Sequence, residues 1–279
     1  YDVTLTEATK ILGGRVAKER KLPGLSAWGR VADYREYQLS QKSNVETYLE
    51  SSLDADQVLE FGFENVCIAT GSTWRADGVS RQHVVPIPND HSINLYTPDD
   101  IMNDKLPSGK VVIYDDDHYY MGGVIAEKLI ENSCDVTLLT PCAYVSEWSI
   151  NTLEQAEIQK RLIEMGVKIE LNRGLISISN SKLISNCIYT QNEKEIETQN
   201  IVMVASRKPH DQLYNDLLLK RTKWIDAGIK SIKLIGDANA PGPIAWATYA
   251  GHRYARELDT EDIGDNLPFR REVTNLASN

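Results

Sequence analysis

The feature that most restricts the fold of this sequence is a strand–helix–strand pattern near its middle. Residues 110–114 form a short, β-branched apolar run, which is typical of a strand buried on both faces of a parallel sheet. Met121, Ile125 and Leu129 then recur at helical spacing. A second apolar run follows at residues 135–139. Parallel neighbours need a long crossover of this kind, so the pattern predicts an α/β fold built on a parallel sheet.

Other segments extend this architecture. Residues 152–165 predict a helix that Gly166 closes as a C-cap glycine. Short alternating stretches between residues 175 and 199 suit an antiparallel meander. Further strands are predicted at 1–7, 65–71, 168–171, 201–204 and 232–235, and a helix with a small-residue face begins at Ile244.

Composition excludes several classes of function. The 279 residues carry a net charge of −10, which disfavours nucleic acid and anionic membranes as partners. The chain lacks an apolar run of the ~20 residues that span a bilayer, and it does not open on a signal segment. The four cysteines (Cys67, Cys134, Cys142 and Cys187) are scattered, without the spacing of a metal motif. These features predict a cytoplasmic protein with reduced thiols and no metal site.

The first residues have the pattern of an interrupted domain. Residues 1–7 alternate polar and apolar side chains and end on Glu7, as a strand does when it approaches a ligand. Neither a methionine nor a helix precedes them, and a strand without neighbours leaves its ladder groups unpaired. We therefore expect residue 1 to mark where a longer polypeptide was cut or stopped being ordered. The alternative is a native edge strand at a true N-terminus.

Two strand ends carry residues suited to a nucleotide. One strand stops at Thr70-Gly71, and another stops at Gly236-Asp237 before the last predicted helix. A glycine there lets a ligand approach the backbone, an aspartate can accept a hydrogen bond from a sugar hydroxyl, and a helix N-terminus can face a phosphate. Each motif alone also occurs as a plain turn. Together, on either side of the strand–helix–strand pattern, they predict nucleotide binding.

Six longer stretches are distinctive: residues 22–28, 33–36, 69–74, 125–129, 234–238 and 251–253. They resemble the C-terminal half of the trimethylamine and dimethylamine dehydrogenases. The resemblance implies an α/β fold with two Rossmann-like lobes of the FAD/NAD(P)-binding disulfide-reductase type, the second inserted in the first. Residues 1–80 and 206–279 would then form an ADP/FAD-type nucleotide-binding lobe that lacks its first strand and glycine loop. Residues 108–205 would form a degenerate NAD(P)-binding-like lobe.

The resemblance also implies a partial cofactor site and no catalytic residue within the chain. Glu7 would hold the ribose hydroxyls, unless it is a plain surface glutamate at a strand end. The other residues implied to bind the cofactor are Gly13, Gly14 and Arg15 near the nucleotide, Ser52 and Leu53 in a strand beside the adenine, and Thr70, Gly71, Gly236 and Asp237 near the phosphates.

Members of this family hold FMN in an old yellow enzyme-type barrel beside a [4Fe-4S] cluster, and the resemblance places both groups in a part that precedes this chain. It further implies ADP or FAD in the first lobe, an electron-transferring flavoprotein as partner and a homodimeric parent. We therefore interpret the chain as the nucleotide-binding, electron-transfer-supporting module of an amine dehydrogenase-like flavoprotein, inactive by itself. The alternatives are part of an NAD(P)H-dependent 2,4-dienoyl-CoA reductase-like enzyme and a non-catalytic, structural ADP-binding module.

The second lobe departs from the pattern of a working nicotinamide site. A dinucleotide loop needs Gly-x-Gly-x-x-Gly after its first strand, but Asp115, Asp116 and Asp117 stand there. Three carboxylates repel a pyrophosphate, and consecutive residues rarely converge on one metal ion. We therefore expect this lobe to use neither NADH nor NADPH.

Overall fold

The computed structural model describes residues 1–260. The strands, in chain order, are β1 (Val3–Thr6), β2 (Val45–Tyr48), β3 (Asn65–Ile68), β4 (Ser72–Trp74), β5 (Asn94–Tyr96), β6 (Lys110–Asp115), β7 (Asp135–Leu139), β8 (Lys168–Glu170), β9 (Arg173–Ser179), β10 (Lys182–Cys187), β11 (Glu193–Glu197), β12 (Asn200–Val204), β13 (Arg207–Pro209) and β14 (Ser231–Leu234). They form one five-stranded sheet, one three-stranded sheet and three two-stranded sheets.

Eight α-helices, of 5 to 14 residues, connect or flank these strands within the described part of the chain. They are α1 (Arg15–Glu19), α2 (Arg30–Ser40), α3 (Ala55–Phe61), α4 (Pro98–Met102), α5 (Met121–Glu131), α6 (Gln155–Glu164), α7 (Gln212–Leu219) and α8 (Ile244–Glu257). Single 3₁₀ turns occur at Ser26–Gly29, Glu147–Ile150, Arg221–Lys223 and Gly236–Ala238. Within residues 1–260, no helix combines the length and the apolar character that crossing a membrane requires.

The central sheet has the strand order β5-β12-β6-β7-β8, and all of its strands are parallel. Strand β6 lies between β12 and β7, with Val112 level with Ile201 on one side and with Thr137 on the other. The predicted strand–helix–strand unit is therefore confirmed as β6, α5 and β7. The predicted meander is also confirmed, as the antiparallel sheet β11-β10-β9 with an irregularity between Ile184 and Ser185.

Each face of the central sheet has its own hydrophobic core. On one face Ile113 and Leu138 pack with Ile125 and Leu129 of α5. On the other face lie Val112, Tyr114, Leu139, Ile201 and Met203, which pack with Leu175, Ile178 and Leu183 of the meander. Alternate residues of β6 thus point into different cores, which explains why the whole run is apolar rather than alternating.

The described residues belong to two compact units. Residues 1–53 and 72–208 form the first, which contains the central sheet, and residues 54–71 together with the described residues from 209 onward form the second. In the second unit β3 and β14 pair in parallel, and α3 packs against α7. In the first unit β1 pairs with β2 in parallel, as a separate two-stranded sheet.

This arrangement corrects the predicted fold class of two Rossmann-like lobes of the disulfide-reductase type, with the second inserted in the first. Such a fold would need strands from the two chain ends to build one sheet. Among the described residues, β1 pairs with β2 and β3 pairs with β14 in separate sheets, and these sheets belong to different units. The predicted lobe boundaries, 1–80 with 206–279 and 108–205, stay a prediction, and residues 261–279 of that assignment lie outside the described residues.

We expect Leu138→Ala to lower the free energy of unfolding by about 2–5 kcal/mol, because the leucine in β7 is 0% exposed and its removal leaves a cavity in the core. Leu153→Ala is the matched control, since Leu153 is 90% exposed and its truncation should change stability by less than ~0.5 kcal/mol. Urea unfolding followed by circular dichroism measures both. Equal effects of the two substitutions would contradict the assignment of β7 to the core.

Candidate functional site at the carboxyl edge of the central sheet

The carboxyl ends of the central strands meet at one edge of the sheet, because the strands are parallel. Strand β6 ends at Asp115, β7 ends at Leu139 and β12 ends at Val204. The chain continues from β6 to β7 and β8 on one side of β6, whereas β12 and β5 lie on the other. Open α/β sheets bind ligands at the edge where the strand order reverses in this way. This edge is therefore the first place to look for a site in the first unit.

Asp115 fills the space between the end of β6 and the start of α5. Its side chain is 0% exposed, and Oδ1 accepts hydrogen bonds from the backbone N–H groups of Asp117 (3.2 Å) and His118 (3.1 Å). A Cβ atom added to Gly122, in the first turn of α5, would collide with this carboxylate. Burial first, and then the negative charge of the neighbouring Asp117, raise the pKa of Asp115 to about 7. A protein carboxyl group thus occupies the position in which a phosphate would meet the helix N-terminus.

Asp116 and His118 form a buried pair beside it. Asp116 Oδ1 lies 2.8 Å from His118 Nε2, and Oδ2 accepts hydrogen bonds from the Gln82 N–H (3.0 Å) and the Ser80 hydroxyl. Burial raises the pKa of Asp116, but the bonds from His118, Ser80 and Gln82 outweigh it, and the pKa falls below its ordinary value. His118 adopts a left-handed backbone conformation, with φ 67°. The Asp116 carboxylate therefore holds Nε2 of the His118 ring in a fixed position.

The other ring nitrogen of His118 faces a cysteine. His118 Nδ1 lies 2.5 Å from Cys142 Sγ, and Cys142 follows β7 by three residues. Glu147 begins the 3₁₀ turn Glu147–Ile150, and one ligand atom from each of His118, Cys142 and Glu147 lies within 4.8 Å of the others. Burial raises the pKa of the Cys142 thiol, and the carboxylate of Glu147 raises it further. A nitrogen, a sulfur and an oxygen ligand therefore converge beside the strand ends.

Sequence reasoning missed this group and predicted no metal site. His118 and Cys142 are 24 positions apart, and neither belongs to a spaced motif. The available signal was positional. His118 follows β6 and Cys142 follows β7. Because these two strands are parallel neighbours, the loops after them emerge at the same edge of the sheet.

The predicted cofactor residues divide between the two units. Six belong to the first unit: Glu7, Gly13, Gly14, Arg15, Ser52 and Leu53. Four belong to the second: Thr70, Gly71, Gly236 and Asp237. Each set is therefore described by itself.

In the first unit, Glu7 lies directly after β1, as the sequence predicts. Its Oε1 accepts hydrogen bonds from the backbone N–H (2.8 Å) and the hydroxyl (2.7 Å) of Thr9. Ser52 and Leu53 lie in the loop after β2, so the prediction that they belong to a strand is wrong. The strand beside β1 ends at Tyr48, and the following loop contains Glu50 at φ 51° and keeps a hydrogen bond from the Ser51 N–H to the Glu7 carbonyl oxygen at 2.9 Å.

Gly13 and Gly14 form a tight bend before α1, with φ 104° and 51°. A Cβ atom on Gly13 would lie 2.9 Å from Cβ of Ala32, so the bend also requires its small size. Arg15 then pairs with Glu19 at 2.9 Å and donates a hydrogen bond to the Tyr120 hydroxyl. Tyr120 donates to the fully buried Glu19 at 2.9 Å. Burial raises the pKa of Glu19, and the opposing effects of Arg15 and Tyr120 do not cancel it.

In the second unit, the four predicted residues follow the carboxyl ends of two paired strands. Thr70 and Gly71 follow β3, and Gly236 and Asp237 follow β14, which is parallel to it. The Thr70 hydroxyl donates to the His210 carbonyl oxygen. Asp237 is buried and accepts a hydrogen bond from the Gly242 N–H at 3.1 Å. The structure thus brings these four residues to one edge of a small sheet.

Comparison with known proteins identifies relatives of this chain. Residues 96–201 match the family described as the OYE-like second alpha/beta domain. Dimethylamine dehydrogenase of Hyphomicrobium sp. (strain x) is 32% identical over 298 residues, and the match covers 98% of this chain and 40% of that protein. The structure of histamine dehydrogenase from Rhizobium sp. 4-9 is 62% identical with a TM-score of 0.94, covering 100% of this chain and 43% of that one. The 6-hydroxypseudooxynicotine amine oxidase of Pseudomonas geniculata N1 is 39% identical with a TM-score of 0.88, covering 93% and 39% of the two chains.

These matches replace the predicted disulfide-reductase-type fold class. Strands β6, β7 and β8 of the central sheet fall entirely within the segment that matches the OYE-like second alpha/beta domain, and β5 and β12 lie at its two ends. The chain spans about two fifths of the length of the relatives that it matches. The chain is homologous to dimethylamine dehydrogenase and to histamine dehydrogenase, and its residues 96–201 match the OYE-like second alpha/beta domain.

Proposed function

We propose that this chain is the nucleotide-binding, electron-transfer-supporting part of an amine dehydrogenase-like iron–sulfur flavoprotein. The observation that carries the proposal is the 62% identity with histamine dehydrogenase, which extends over the whole chain. In such a protein the amine would be oxidised at FMN, and a [4Fe-4S] cluster would take up the electrons. The described residues do not fit the cluster, which needs four cysteine thiolates. Their one group of three metal-ligating side chains contains a single cysteine.

The proposed nucleotide is ADP or FAD, with its ribose on Glu7. The position of Glu7 supports this, since it directly follows a strand that has a parallel neighbour. A carboxylate has about four acceptor sites, so Glu7 can keep both bonds from Thr9 and still accept a ribose hydroxyl. The open space at Gly14, where an added Cβ would meet nothing within 4 Å, gives a ligand room to approach the backbone. The roles of Thr70, Gly71, Gly236 and Asp237 at the phosphates stay a prediction.

The carboxyl edge of the central sheet supports a second point, which is that NADH and NADPH are not substrates. The Asp115 carboxyl group already accepts the N–H groups at this edge, and Gly122 faces it rather than open space. This disfavours the alternative of a 2,4-dienoyl-CoA reductase-like enzyme, which would draw hydride from NAD(P)H. The other alternative is a structural ADP-binding module, which would bind the nucleotide as the proposed function does but would take no part in electron transfer.

Electrons would then leave through a separate electron-transferring flavoprotein. We propose this partner, and a homodimeric parent, from the resemblance to amine dehydrogenases. The net charge of −10 continues to disfavour nucleic acid as a partner.

We expect the full-length protein to release about one adenine nucleotide per chain when it is denatured and the supernatant is chromatographed. Glu7→Gln should weaken retention by the value of one charge-assisted hydrogen bond, about 1.5–3 kcal/mol, or roughly 10- to 150-fold. Glu36→Gln, at an exposed position of α2, is the control and should retain the nucleotide. A wild-type preparation without adenine nucleotide would refute the proposed site.

We expect NADH and NADPH to leave the flavin of the full-length protein oxidised under anaerobic conditions, because the N-terminus of α5 has no room for a pyrophosphate. Dimethylamine or histamine, added afterwards, should bleach the flavin and so show that it is reducible. Absorbance spectroscopy records both steps. Bleaching by NADH at a rate competent for turnover would favour the reductase alternative instead.

We expect Gly122→Ala to destabilise the protein by about 1–3 kcal/mol, since the new Cβ would overlap the Asp115 carboxylate. Gly251→Ala is the matched control within helix α8: its Cβ meets nothing within 4 Å, and the change should stabilise by about 0.4–1 kcal/mol. Thermal unfolding measures both changes. In an Asp115→Ala background the penalty of Gly122→Ala should become smaller, because only the Cβ of residue 115, at 2.9 Å, then stays close to the new atom. A penalty of undiminished size would show that the Asp115 carboxylate does not fill this space.

A further inference from the structure

The group formed by His118, Cys142 and Glu147 lies outside the proposed function and has its own chemistry. One ligand atom of each residue lies within 4.8 Å of the others. His118 and Cys142 are each 8% exposed, and Glu147 is half-buried. A neutral imidazole, a thiolate and a carboxylate are the three ligand types that zinc takes from proteins.

The groups around these side chains have the arrangement of a second coordination shell. Asp116 holds His118 Nε2 at 2.8 Å, which leaves Nδ1 directed at Cys142. Such a carboxylate–histidine pair orients the ring and raises its basicity toward a metal ion. Asp116 is itself fixed by the Gln82 N–H and the Ser80 hydroxyl. The imidazole is therefore held in one tautomer before any ion arrives.

The backbone at the ligands is equally fixed. The carbonyl oxygen of His118 accepts the Trp148 N–H at 2.8 Å, which ties the loop after β6 to the turn that carries Glu147. The carbonyl oxygen of Cys142 accepts the Asn172 N–H at 2.9 Å, and its N–H donates to the Thr140 hydroxyl. A cation in this position would also offset the negative charge of the neighbouring Asp115 and Asp116.

We propose that His118, Cys142 and Glu147 bind one zinc ion, with the fourth coordination position open to water or a small ligand. Zinc–sulfur and zinc–nitrogen bonds of about 2.3 and 2.0–2.1 Å in a tetrahedron place those two atoms roughly 3.5 Å apart. The Sγ and Nδ1 atoms lie 2.5 Å apart, so the ion separates them by about 1 Å. Cys142 lies in the loop after β7, so its side chain is the group that we expect to move.

The first experiment measures metal content and ligand type. The purified full-length protein is stripped with a chelator, supplied with zinc alone, desalted and analysed by elemental mass spectrometry and by competition with a chromophoric chelator. Cobalt replaces zinc in a parallel sample, because a sulfur-to-cobalt charge-transfer band reports a thiolate ligand. We expect one zinc ion per chain at this site and the charge-transfer band.

The variants assign the ion to the cluster. Cys142→Ser should abolish the charge-transfer band, and Asp116→Asn should weaken zinc affinity by about 10- to 100-fold through loss of the carboxylate behind the imidazole. His118→Asn should lose zinc while keeping the backbone at φ 67°, since asparagine tolerates that conformation. Cys187→Ser is the control, because Cys187 is a free thiol outside the cluster whose pKa is lowered to about 7 by hydrogen bonds from Thr190.

Two outcomes would overturn the proposal. One is a wild-type protein that retains no zinc at the cluster, so that zinc content is the same in wild type and in Cys142→Ser. The other is a charge-transfer band that survives in Cys142→Ser and is lost in Cys187→Ser. Glu147→Gln, at a half-buried position, provides a further variant if Cys142→Ser does not fold, and it should also weaken zinc binding.

Discussion

The two-sided burial of β6 and β12 is the constraint on which the rest of the first unit depends. Val112, Ile113, Ile201 and Val202 are all at most 2% exposed, so both faces of the sheet must be covered. Helix α5 covers one face and the antiparallel meander covers the other. Polar side chains are therefore excluded from the two faces of the sheet and lie at the strand ends, where loop N–H groups and other polar side chains satisfy them.

The strands and helices of the first unit could be predicted from the sequence because each one has its own local hydrophobic pattern. The apolar runs at β6, β7 and β12 and the 3.6-residue spacing in α5 gave the elements nearly at their observed bounds. Gly166, predicted to close α6, does so with φ 84°.

What could not be predicted depends on contacts between distant segments. The local hydrophobic pattern does not determine which strands pair with one another. It could not show that β1 with β2 and β3 with β14 form separate sheets, and the resemblance led to the wrong fold class. The same applies to Ser52 and Leu53, which were assigned to a strand by analogy and lie in a loop. The side chains of Asp116, His118 and Cys142 meet only because two loops emerge beside each other. The sequence indicated that Asp115–Asp117 would exclude phosphate, but not that Asp115 would fill the space itself.

The link between Arg15, Glu19 and Tyr120 has a mechanical consequence. Glu19 ends α1 and Tyr120 immediately precedes α5, so a buried, charge-assisted contact joins the end of one helix to the start of another about 100 positions further along the chain. Separating such groups leaves a buried carboxylate without its partners, which is costly in a low dielectric. Helix α1 is therefore held to the start of α5 through Arg15, Glu19 and Tyr120. A substitution that displaces the glycine bend before α1 is expected to disturb this buried contact as well.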